Sequence, residues 1–92
     1  MGYRIPNTAP TAKQQKQMKQ AVIKLINHFG GLSQAALELG VNKGVLNGWR
    51  TRGRVPAYQA ESIGSLPGME KDGLTKEYMR PDVQEWNLLV GD

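Results

Sequence analysis

Apolar positions along the chain fall into short stretches of helical period, separated by glycine, proline and asparagine. Met18, Ala21, Val22, Leu25, Ile26 and Phe29 recur at steps of three and four, which places all six on one helix face. Lys13, Lys16, Lys19, Lys24 and several glutamines take the other faces. Thr11 precedes this pattern and Gly30-Gly31 ends it. A second helix is predicted from Ser33, a good N-cap, through Gln34, Ala35, Ala36, Leu37, Glu38 and Leu39, broken by Gly40 after less than two turns. A third begins at Asn42, again a good N-cap, and turns Val45, Leu46 and Trp49 inward. Gly53 and the Val55-Pro56 step end it, and Pro56 suits the first turn of a fourth helix. Tyr58, Ala60, Ile63 and Leu66 supply that helix with apolar contacts. Pro67-Gly68 reads as a turn, and Thr75 as the cap of a short helical turn through Met79 that Pro81 stops.

The expected architecture is all-α: a single compact domain of four or five helices over residues 11–82. An extended, mobile arm (residues 1–10) precedes it, and a tail (residues 83–92) follows, rich in apolar surface at Trp86, Leu88, Leu89 and Val90. Ninety-two residues suit one domain, and no apolar run approaches the roughly 18 residues of a membrane span. The start lacks an apolar stretch with a small-residue cleavage site. The chain has no cysteine, which excludes disulfides and thiolate metal sites and fits a reducing cytoplasm.

Charge changes the picture more than composition does. Residues 1–56 hold nine basic side chains against the single acid Glu38, whereas residues 57–92 hold seven acids against three bases. A basic front and an acidic back orient a molecule toward a polyanion such as double-stranded DNA. The front contains LSQAALELGVNKGVLNGWR, residues 32–50. A helix-turn-helix needs a small residue where its helices come closest, glycine at the turn, and apolar residues on the buried side. Ala36, Gly40, and then Leu39, Val41, Leu46 and Trp49 stand at suitable offsets.

In such a hairpin Asn42, Lys43, Gly44, Asn47 and Gly48 are left for the major groove. Lys43 can donate to guanine O6 or N7, and Asn47 can pair bidentately with an adenine edge. Gly44 and Gly48 each cost a helix about 1 kcal/mol relative to alanine. Their missing side chains would let the helix sit close to the bases. Arg50, Arg52 and Arg54 follow in the run RTRGRVP and suit phosphate contact, as does Gln34 in the first turn of the second helix. Lys13, Lys16 and Lys19 read as solubilising charge. Arg4, on the arm, could reach a minor groove.

The segments HFGGLSQAALELGV, NKGVLNGWRTRGRVPA and LTKEYMRPD resemble the Cro/CI-type phage repressor superfamily, nearest to its small Cro-like members and the YdaS-like antitoxins. The resemblance covers a little over half the chain, from about Phe29 to Asp82. It implies a lambda-repressor-like fold of four or five helices and a Cro-like transcriptional repressor. It also implies a homodimer on an operator of two-fold symmetry, an inverted repeat. The family's reading positions fall on Asn42, Lys43, Gly44, Asn47 and Gly48, and its phosphate-contacting glutamine on Gln34. Serine or another polar residue is more usual where Gly44 and Gly48 stand. Cro-like proteins pair through elements beyond the reading helix, which makes the segment from Met79 to Val90 the candidate interface.

Two other readings compete. One is an antitoxin or protein-interaction module acting through the acidic C-terminal part. The other is a DNA-binding phage packaging or assembly protein, although those usually append a long oligomerising helix that 92 residues cannot hold. An enzyme is not expected. The sole histidine, His28, sits at a helix end where a cation favours the dipole, and no nucleophile–base pair, phosphate loop or metal-ligand cluster is visible, so neither cofactor nor metal is expected.

Overall fold

A computed structural model of the chain describes residues 10–83. The proposed arm with Arg4 and the tail carrying Trp86, Leu88, Leu89 and Val90 lie outside the described residues, save Pro10 and Val83. Helix α1 spans Ala12–His28. Its start is fixed by a reciprocal pair: Gln14 N donates to Thr11 Oγ1 at 3.1 Å and Thr11 N donates to Gln14 Oε1 at 3.0 Å. That capping box satisfies two backbone donors that would otherwise lack helical partners. The predicted apolar face is the buried one, with Met18, Ala21, Val22, Leu25 and Ile26 inside and Phe29 partly buried beside them. Around this helix α2, α3 and α5 assemble.

Helix α2 spans Leu32–Leu39. It starts before the expected Ser33 cap, because the Gly31 carbonyl already accepts the first helical bond, from Ala35 N at 2.9 Å. Ser33 lies in the first turn instead. The helix has eight residues, slightly more than two turns, and buries only the short side chains Ala35 and Ala36. Gly40 takes the left-handed conformation, φ 69°, and lets Val41 N reach back to the Ala36 carbonyl at 3.0 Å. Asn42 is extended, and its Oδ1 accepts from Gly44 N at 2.7 Å, capping α3, Lys43–Arg52. The chain therefore turns between α2 and α3 within Gly40, Val41 and Asn42, and the two helices pack against each other.

Leu46 and Trp49 are the buried residues of α3, but Val45, expected inside, is 47 % exposed. At 100° per residue Leu46 and Trp49 lie 60° apart, and Val45 falls beyond the Trp49 edge of that arc. Gly53, left-handed at φ 80°, ends α3. Pro56 precedes α4, Ala57–Gly64, as its N-cap. Ala60 and Ile63 fill the core; the expected contributions of Tyr58 and Leu66 are not made, since both are exposed. Tyr58 is two residues from Ala60, about 200° around the helix, and so on the opposite side. Leu66 lies past the helix end at Ser65.

The chain turns at Pro67-Gly68, passes a 3₁₀ turn at Glu70–Asp72, and enters α5, Lys76–Met79. Thr75 caps α5 as expected, its Oγ1 accepting from Tyr78 N at 3.2 Å. Gly64 meets the start of α5 so closely that a Cβ there would sit 2.9 Å from Lys76 N. Pro81 follows, and then the chain makes its one buried ion pair among the described residues. Arg80 Nε and Nη2 each donate to an Asp82 carboxylate oxygen at 2.8 Å, while Nη1 donates to the Val55 carbonyl at 3.1 Å. Val83, read as the start of the tail, is buried. Among the described residues the elements are five α-helices and one 3₁₀ turn, with no strand, and no helix is long and apolar enough to cross a membrane.

Candidate nucleic-acid interface

Every residue expected to face a duplex from α3 is accessible: Asn42, Lys43, Gly44 and Asn47 are exposed and Gly48 is half-buried. The buried pair Leu46 and Trp49 fixes this orientation, because it anchors the opposite side of the helix in the core. No acidic residue occurs between Asn42 and Ala60, so the exposed side of α3 carries no repulsion toward a polyanion.

Several of these side chains hold one another. Asn42 commits its carbonyl oxygen to the cap on Gly44 N, leaving its amide N–H groups as donors. Lys43 Nζ donates to Ser33 Oγ at 3.4 Å, which brings the first turns of α2 and α3 together at one cationic group. Gln34, in that same first turn of α2, donates instead to Glu38 Oε2 at 3.0 Å, so a phosphate there would displace a carboxylate. Arg50 Nη2 donates to Asn47 Oδ1 at 2.6 Å. A bidentate adenine contact needs both that oxygen, accepting from N6–H, and the amide N–H, donating to N7, so Arg50 must share or release the oxygen when Asn47 pairs with a base.

The two glycines within α3 are not required by the core or by backbone conformation. Gly44 and Gly48 have right-handed backbone, and a Cβ on either would meet only a neighbouring polar side chain of the same helix. At Gly44 that neighbour is Asn42 Oδ1, at 3.0 Å; at Gly48 it is Arg52 Nη1, at 3.2 Å. The Arg52 side chain thus runs back along α3 and lays its guanidinium across Gly48, as side chains on helices lean toward the N-terminus.

Beside this face lies an open groove of about 330 Å³ between α1 and the α3–α4 turn. Arg52 and Arg54 enter it from one side and Lys19 and Gln15 from the other. Lys19 does more than add solubilising charge to the surface: its Cβ lies 3.7 Å from where a Cβ on Gly53 would stand. Periodicity places Lys19 next to the buried Met18 at the margin of the apolar face, but only the fold brings it to the arginines. Three cations converge here and no acid lines the groove, an arrangement suited to an anion.

Arg54 also acts inward. Burial alone would raise the Asp82 carboxyl, but the hydrogen bonds and charge of Arg80, a backbone hydrogen bond and the charge of Arg54 outweigh it and hold the group below the usual carboxylate range. The Arg80–Asp82 pair is a positioning element that the sequence reading missed: through Val55 it fixes the segment following Arg54. His28, expected as a cation at the end of α1, contacts the Asp72 carboxylate and packs edge-on against Phe29. Among the described residues no group of histidines and acids is placed to hold a metal ion. No family model, curated protein or solved structure matches the chain.

Proposed function

We propose that this chain is a sequence-specific, double-stranded DNA-binding protein of the helix-turn-helix kind, a Cro-like transcriptional regulator of the bacterial cytoplasm. In this reading α3 enters the major groove, with Lys43 and Asn47 toward base edges and Gly44 and Gly48 admitting close approach. Arg50, Arg54, Lys19 and Gln34 hold phosphates, which sets register and affinity rather than sequence preference. A homodimer on an inverted repeat follows from the family resemblance.

The observation that carries the reading is the exposed side of α3. It has no acid, it begins beside a second helix N-terminus at Ser33 and Lys43, and it ends in Arg50 and Arg52, with Arg54 just beyond. The test is binding of purified protein to random and selected duplexes across a salt series. Tight binding to a selected sequence, at least about 10³-fold above random DNA, supports it. Equal, weak and salt-sensitive binding to both contradicts it.

The rival reading, a protein partner held by the acidic C-terminal part, loses weight on a specific observation. Of the five acids between Glu61 and Asp82, three are engaged within the fold: Glu61 with Lys76, Asp72 with His28, and Asp82 with Arg80.

A further inference from the structure

The bare stripe along α3 is bordered by Asn42 at its start and by Arg52 at its end. Gly44, Gly48 and Arg52 are spaced by four, so they lie one above the other on a helix. Gly48 has no side chain, and the volume it vacates is filled by the Arg52 guanidinium, 3.2 Å from the missing Cβ. Toward the start of the helix, the missing Cβ of Gly44 is met by the Asn42 cap oxygen at 3.0 Å. Arg52 forms no ion pair with a carboxylate among the described residues, so its planar set of donors is available. It is exposed, although it sits in the last turn of α3. By position it belongs with the phosphate-binding arginines, and it borders the groove of Lys19 and Arg54; its charged end nevertheless reaches the face made by Gly48, one turn nearer the start of the helix.

We propose that Arg52 is a base-reading residue whose partner is guanine, and that Gly48 is the slot that makes this possible. The inference rests on the duplex-DNA reading above. Guanine presents O6 and N7 together in the major groove, and a guanidinium matches both at once, the commonest specific contact between protein and DNA. A side chain at position 48 would fill the slot and push the guanidinium outward toward the backbone. Arg50 differs: its Nη2 is held by Asn47.

The experiment compares wild type, Arg52→Ala, Arg52→Lys and Gly48→Ala on the duplex that wild type selects from a random pool and on single-base-pair variants of it, at two salt concentrations. In wild type, replacing one G·C pair per half-site should weaken binding at least about tenfold, the equivalent of about 1.4 kcal/mol. Arg52→Ala should abolish that preference at that one position while keeping the others. Arg52→Lys should keep it only in part, because an ammonium is a point charge without the fork. Gly48→Ala should fold with an unchanged or raised melting temperature and lose the same preference. Uniform weakening of Arg52→Ala on every duplex, with a salt slope reduced by about one, would make Arg52 a phosphate anchor and overturn the inference. Failure of wild type to select any sequence would instead remove the DNA reading itself, and this inference with it.

Discussion

Replacing Asp82 with alanine leaves the Arg80 charge without its carboxylate in a site that is almost closed to solvent, the two side chains being 7 % and 5 % exposed. Two charge-assisted bonds of 2.8 Å are lost together. Breaking a buried pair by removing one partner costs about 3–5 kcal/mol, because the remaining ion loses its counter-charge while staying out of water. A chain of 92 residues has a total stability of about 5–14 kcal/mol, so the variant should lose a large fraction of it. For a domain of this size each kcal/mol moves the melting temperature by about 4–8 °C, so a fall of at least about 12 °C is expected. The assay is thermal and urea unfolding at pH 7. The double variant Arg80→Met with Asp82→Leu should recover part of the loss, since removing both charges also removes the desolvation penalty. Acid provides a second check. The Asp82 carboxyl is held below its ordinary value, 3.8, in the folded protein. Its contribution is therefore complete above that value and disappears as pH falls through the lower folded value. Asp82→Asn should lack this part of the acid dependence. An Asp82→Ala protein within about 1 kcal/mol of wild type at pH 7 would refute the reasoning, because the loss of both charge-assisted bonds to a buried guanidinium cannot be that cheap.

Gly64→Ala should destabilise the fold by about 1–3 kcal/mol, since its Cβ would stand 2.9 Å from the α5 backbone, which must shift. Gly48→Ala, by contrast, meets only the flexible end of Arg52 and should stabilise α3 by about 1 kcal/mol; urea titrations of both variants separate a glycine kept by packing from one kept by function. Asn42→Ala removes the cap on α3 and should cost about 1 kcal/mol by the same titration. Lys43→Ala should erode discrimination between selected and random duplexes, whereas Arg54→Ala should weaken both alike and reduce the salt slope by about one; identical behaviour of the two variants would dissolve the division into readers and anchors.

Much of the helical frame is legible in the sequence because it is local. The apolar face of α1, the Gly40 turn, the Asn42 cap and the Thr75 cap each depend on residues within one or two turns. The edges of a buried stripe are not local. Val45 and Tyr58 are apolar and helical, yet whether such residues are covered depends on where the neighbouring helices end, and here both are exposed. The start of α2 is missed because Ser33 is a better N-cap than glycine by propensity, while the geometry lets the Gly31 carbonyl act first. Arg80 and Asp82 escape periodicity altogether. They follow a helix of four residues, flank Pro81, and are charged types rarely found inside unless paired. At the candidate interface, sequence identifies the exposed positions of α3 but not their mutual contacts. The Asn47–Arg50 bond, the Arg52 guanidinium over Gly48 and the approach of Lys19 to the arginines all depend on side-chain direction and tertiary placement.

The most direct test of the central claim is selection of bound sequences from a random duplex pool by the purified full chain at near-physiological salt. The account predicts enrichment of an inverted repeat whose half-sites lie about one helical turn apart, with a guanine preference that depends on Arg52. Recovery of no sequence, with only weak binding that vanishes as salt rises, would contradict it and leave the basic side of the molecule as an electrostatic surface.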